Sequence, residues 1–126
     1  MAVTRVVKER LGKALITGTA TGSATTVATN ITGEDMTITS IMAYNQHTSA
    51  VDLYLCQVDD ATAEVGTDTA NDIFYYRSLA AKESLFLGPE DIKIQMNDTN
   101  DTLQAWASVA SKVNVWAYGI HEPNQV

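Results

Sequence analysis

The sequence predicts an all-β protein built as a sandwich or barrel. Three observations carry this. Eight or nine short runs rich in Val, Ile, Thr and aromatic residues recur along the chain, turn signals separate them every eight to twelve residues, and no segment shows a convincing 3.6-residue apolar stripe. At 126 residues the chain is long enough for one two-layer core. Residues 13–126 are expected to form a single domain, preceded by an extended arm over residues 1–12.

The elements follow in order. In the arm, Val3, Val6, Val7 and Leu11 give only a weak helical spacing, with no cap to support a stable helix. Lys13 to Thr19 is the first strand candidate and Ala24 to Ile31, rich in Thr, the second; Gly18 and Gly22 punctuate the turn between them. Met36 to Asn45 is a longer strand. Ile38 and Ile41 cannot share one face of it without a bulge near Ser40. Val51 to Val58 follows, and the two are expected to pair as a hairpin. Asp59 to Asp72 is the longest loop, with five acidic residues and almost no bulky apolar ones. Ile73 to Leu79 is a dense aromatic strand. Leu85 to Leu87 and Ile92 to Met96 are short strands on either side of a Gly88-Pro89-Glu90-Asp91 turn.

The last stretch, Thr102 to Glu122, reads as a second hairpin. Leu103, Ala105, Ala107 and Val109 alternate with Gln104, Trp106 and Ser108; Val113, Val115, Ala117 and Gly119 alternate with Asn114, Trp116 and Tyr118. Opposed residues of an antiparallel pair share a face. A three-residue loop, Ala110 to Lys112, opposes Ala107 to Val115 and Trp106 to Trp116, and the rows agree. Such a loop usually needs a left-handed residue, and no Gly is present. The small aliphatic row suits the core, so Trp106, Trp116 and Tyr118 are expected to face outward toward something that covers them. The alternative puts the two indoles in the core.

Net charge is −7, unevenly spread. Residues 1–13 carry Arg5, Lys8, Arg10 and Lys13 against Glu9, while the remainder has four basic and fourteen acidic residues. An acidic body argues against a nucleic-acid partner, since the aromatics present lack a basic face. The basic arm can instead lie on an acidic neighbour, or fray as termini do. No apolar run spans a membrane, and the first 14 residues lack the apolar core of a signal peptide. The single cysteine, Cys56, rules out an intrachain disulfide and suits a small buried apolar position.

A catalytic reading fails on inventory, and neither an enzyme nor a cofactor is expected. No nucleophile-elbow, zincin, P-loop or dinucleotide motif occurs. His47 and His121 read as solvated loop residues. The adjacent carboxylates Asp59-Asp60 and Glu90-Asp91 read as turn residues. Calcium is the one metal worth weighing, through Asp68, Asp72 and the Asn97 to Asp101 turn, but without EF-hand spacing it is not expected.

The run SLAAKESLFLGPEDIKIQMNDTNDTLQAWASVASKVNVWAYGIHE, with SIMAYN and VDLYL before it, resembles small structural proteins of tailed bacteriophages. The resemblance covers about residues 36–122. The Gly usual before the Asp of the penultimate turn is missing; Asn97-Asp98 and Asn100-Asp101 stand there, implying a longer loop. The resemblance implies a jelly-roll-like antiparallel β-sandwich and a role as a capsid decoration (cement) protein. Such a protein sits on the capsid outer surface of a virion made in the host cytoplasm, binds the major capsid protein, and self-associates as a homotrimer. Its expected contact residues are Arg5, Lys8, Arg10, Trp106, Trp116 and Tyr118. Two other roles stay open: a tail or fibre module binding a host-surface glycan, and a head–tail connector or tail subunit.

Overall fold

A computed structural model describes residues 7–31, 33–58, 73–97 and 99–123. Nine strands are present: β1 (Val7–Leu15), β2 (Thr25–Thr29), β3 (Glu34–Asn45), β4 (Val51–Val58), β5 (Ile73–Leu79), β6 (Ser84–Leu87), β7 (Ile94–Met96), β8 (Thr102–Ala107) and β9 (Val113–Pro123). A 3-10 turn at Thr21–Ser23 is the one helical element among the described residues. The strands form two antiparallel sheets. Sheet I has the order β1-β9-β3-β6, with β7 also paired to β3; sheet II has the order β2-β8-β4-β5. Apart from the β4-β5 hairpin and the β6-β7 link, every connection crosses between sheets. Eight strands in this order are a jelly roll, two interlocked Greek keys, as the resemblance implies.

The core lies between the sheets and follows the period-2 alternation. Val51, Leu53 and Leu55 of β4, Leu103, Ala105 and Ala107 of β8, and Val113, Val115 and Ala117 of β9 all belong to one buried cluster. Ile38 and Ile41 are both fully buried. The bulge that this requires is present: the β3-β9 register shifts between Ile38 and Ser40. Fully burying each of these side chains contributes about 1.5–3 kcal/mol, enough to select the bulge over an exposed isoleucine.

Two expectations need correction. The stretch 102–122 is not a hairpin: β8 pairs with β2 and β4, and β9 with β1 and β3. Residues 108–112 arch from one sheet to the other. They are tied by Ser108 N donating to Asp52 O (2.9 Å) and Ser111 N donating to Ile16 O (2.8 Å). Ser111 takes the left-handed conformation the turn needs, with φ +61°. The difference has a physical reason. Two alternating rows that face one core satisfy the register arithmetic equally well when the strands pair edge to edge and when they face each other across the sandwich. The β3-β4 connection is an arch by the same token. Asn45, fully buried, stitches it: Nδ2 donates to Ser49 O, Leu79 O and Ala80 O at 3.0–3.2 Å, and Oδ1 accepts from His47 N at 2.9 Å.

The arm boundary also shifts. Residues 7–12 are not an arm but the first part of β1, paired with β9 from Val7↔His121 onward. Residues 1–6, including Arg5, lie outside the described residues, as do the acidic loop 59–72 and Asp98.

Candidate functional site

The outer face of sheet I is the candidate site. Outward residues of β9 (Asn114, Trp116, Tyr118) lie between outward residues of β1 and β3, and the register arranges them in rows across the strands. One row is Lys13–Trp116–Met42–Phe86, through the pairs Lys13↔Trp116, Met42↔Trp116 and Met42↔Phe86. The next is Leu15–Asn114–Tyr44–Ser84, and on the other side stands Arg10–Tyr118–Ser40. The central row is largely apolar and opens to solvent at Met42 (40% exposed) and Phe86 (63%); Leu15, at the β1 end of the next row, is also 40% exposed. Scattered exposed apolar residues mean little, but a contiguous row flanked by polar ones marks a contact surface.

The basic residues beside these rows sit on β1, while Asp35 of β3 and Glu122 of β9 are paired farther along the sheet. Lys13 Nζ lies 5.6 Å from the centroid of the Trp116 ring, within cation–π range. Arg10 is exposed beside Tyr118. Near that end, Arg10, Tyr118, Phe86 and Pro89 line an open groove of about 440 Å³ with Thr39, Ser40, Glu9 and Gly119. The groove has a backbone cause. Bulges in β1 (between Arg10 and Gly12) and β3 (between Ile38 and Ser40) flank β9 at the level of Tyr118. Gly119 lets β3 come close; a Cβ there would lie 2.0 Å from Thr37 O.

The outer face of sheet II is different. Trp106 stacks on Tyr54, with centroids 4.9 Å apart and an interplanar angle of 7°, and Tyr54 meets Tyr76 at 4.8 Å. Trp106 is only 6% exposed. Tyr76 Oη donates to Asp52 Oδ1 at 3.2 Å, and this bond raises the phenol pKa.

The six expected contact residues are therefore divided. Arg10, Trp116 and Tyr118 share the outer face of sheet I, and Lys8 is placed by its backbone opposite Ile120. Trp106 is corrected: it points away from the core, as expected, but on the other sheet and buried in a stack. Arg5 lies outside the described residues. Sequence reasoning missed Met42, Phe86, Leu15 and Lys13. The signal was available in Leu85-Phe86-Leu87, where two inward leucines force the phenylalanine out.

The other sequence candidates resolve as follows. Cys56 is fully buried, and its Sγ donates to Gln104 O at 3.3 Å. Asp91 Oδ2 accepts from Gly88 N at 3.0 Å, a turn role. His121 is not a loop residue; it lies in β9, half-buried, between Glu9 and Glu34. Its pKa is raised, first by the hydrogen bond to Glu34, with both carboxylate charges adding and burial opposing. Among the described residues no group of three His, Cys, Asp or Glu side chains is placed to hold a metal ion.

No protein-family description and no curated protein matches this chain. Solved structures do. A chain from the virus-like particle of the extra small virus of the giant freshwater prawn Macrobrachium rosenbergii is 8% identical. The match covers 100% of this chain and 83% of that one, with a TM-score of 0.53. A chain from the disulfide-linked pili of Bacillus endospore appendages is 14% identical over 98% of this chain and 93% of that one, TM-score 0.47. A chain of infectious bursal disease virus, Gt strain, is 11% identical over 94% of this chain and 31% of that one, TM-score 0.37. At such identities the prawn-virus similarity shows a shared fold.

Proposed function

We propose that this chain is a structural protein of a virion, and within that class a capsid decoration protein that docks on the shell through the outer face of sheet I. The observation that carries the reading is the row Trp116–Met42–Phe86, half-buried at Trp116 and open at Met42 and Phe86, with Lys13 and Arg10 along its β1 side. Covering the apolar area that these side chains still expose contributes about 25 cal/mol per Å², and buried aromatics dominate interface energies. The basic residues steer the face toward an acidic neighbour. The fold shared with a virus-like-particle chain, and the resemblance of residues 36–122 to tailed-phage structural proteins, support the same class. In this reading the protein is a homotrimer that bridges capsomers of the major capsid protein, and its role is mechanical rather than catalytic.

A second reading is favoured by one observation: the chain spans 83% of the prawn-virus chain. That chain comes from a virus-like particle, and in this second reading the present chain is itself a shell subunit. Electron microscopy of the purified protein separates the two. Particles formed by the chain alone support the shell-subunit reading. Sedimentation with tailed-phage shells lacking their decoration protein, at a fixed copy number per shell and lost in Trp116→Ala/Phe86→Ala, supports decoration. A double variant that binds as well as the wild type refutes the docking face.

A further inference from the structure

Where the sandwich opens at one end, β1, β2, β3 and β9 surround a small cleft of about 200 Å³. His121 reaches it because it continues the inward row Ala117, Gly119, His121 of β9. Its Nδ1 lies 2.8 Å from Oε2 of Glu34, at the start of β3. Its Nε2 contacts Oε1 of Glu9, on β1. Arg10 of β1 is the other charged group lining the cleft; the β2 side contributes Thr29 and, just past the strand, Ile31.

A neutral imidazole carries one N–H and one lone pair. It can donate to one of these carboxylates, but its other nitrogen then points a lone pair at the second. Both contacts together require N–H on both nitrogens, which is the imidazolium. We infer that His121 is a proton-linked clasp holding the first half of β1 onto sheet I, and that loss of its proton frees Glu9 and loosens that half-strand.

Two features single out β1 as the part that gives way. The Glu9 side chain is 44% exposed against 23% for Glu34, so water takes over its charge more readily. β1 is an edge strand, and its register breaks at Leu11, between Arg10 and Gly12. The pairs Val7↔His121 to Arg10↔Tyr118 therefore form a short unit beyond a bulge. The second half of β1 is secured separately, by Ile16 N donating to Val113 O at 2.8 Å.

The raised pKa of His121 gives the direction. The clasp is complete below the ordinary histidine value near pH 6.5 and is lost as pH rises through the higher folded-state value. Arg10 lies on the unit that loosens, so the clasp also regulates the docking face. That second consequence rests on the proposed function.

The test is hydrogen exchange of the full-length protein from pH 6 to pH 8.5, corrected for intrinsic rates. Protection of the Lys8 to Arg10 amides should fall with pH, by at most about tenfold per unit because one proton is released, while that of Lys13 to Leu15 holds. Glu9→Gln, at a half-exposed site, should flatten the dependence. The His121 ring should titrate above about 6.5 by NMR and move down in Glu34→Gln. Protection of Lys8 to Arg10 that is constant over this range, or a ring midpoint at or below the ordinary value, overturns the clasp. Shell binding measured alongside should weaken with pH. If protection changes and shell binding does not, the clasp stands and its link to docking is overturned.

Discussion

Trp106 and Trp116 sit ten residues apart in near-identical alternating surroundings, yet they meet opposite fates. Both point away from the core, as their aliphatic neighbours dictate. Trp106 lies on sheet II, stacked on Tyr54 and 6% exposed. Trp116 lies on sheet I in a row that runs out to the open Met42 and Phe86. Alternation sets which side of a strand a residue takes. It does not set which sheet the strand joins, nor what lies on the outside of that sheet.

The comparison is sharpest in stability. Trp106→Ala removes a ring that is nearly all buried and is expected to cost about 3–5 kcal/mol in urea unfolding. Trp116→Ala is expected to cost about 1 kcal/mol, near the ordinary range for a partly exposed site. Equal costs would mean that the two faces are alike.

Asn45→Ala tests the arch that replaced the expected hairpin. It leaves three buried or half-buried carbonyls without their donor, at about 1–3 kcal/mol by chemical denaturation. A loss within error would mean that Asn45 does not hold the β3-β4 connection.

The effect of pH near neutrality is smaller and sits on sheet I, at His121. His121 is raised by its hydrogen bond to Glu34 and by the charges of Glu34 and Glu9. Stability should therefore decline from about pH 6.5 upward as the proton is lost, and His121→Gln should remove that decline. Smallest of all is Ser111→Gly in the β8-β9 arch. Ser111 sits at φ +61°, a conformation costing a non-glycine residue about 1–2 kcal/mol. The greater freedom of glycine in the unfolded chain offsets part of the gain, so a rise of under about 1 kcal/mol in thermal unfolding is expected.

Much of the fold was legible because local pattern and global packing agree. The strand runs, the inward rows of β4, β8 and β9, the bulge forced by Ile38 and Ile41, and the burial of Cys56 all follow from period-2 spacing. Pairing partners were not legible, since a row facing the core looks the same whether its partner lies beside it or across from it. The roles of Asn30 and Asn45 were hidden for another reason. Asn30 Nδ2 donates to Glu34 O at 2.8 Å and Met96 O at 2.9 Å, and an asparagine at the end of an expected strand gives no local sign of carbonyl partners as distant as Met96. His121 needed partners 112 and 87 residues earlier, Glu9 and Glu34, which no local window contains. Of the candidate site, the outward side of Trp116 and Tyr118 was legible from alternation and Arg10 from the basic charge of the first residues, while Met42 and Phe86 emerged only once the strand order laid them in line with Trp116.

In the proposed docking Trp116 belongs to the contact face and Trp106 does not. Acrylamide quenching of single-tryptophan proteins, Trp106→Phe and Trp116→Phe, tests it with and without shells. In free protein Trp116 should quench several-fold more than Trp106, and on shells Trp116 alone should become protected. Equal quenching in solution, or a Trp116 as open on the shell as off it, would rule out sheet I as the docking face.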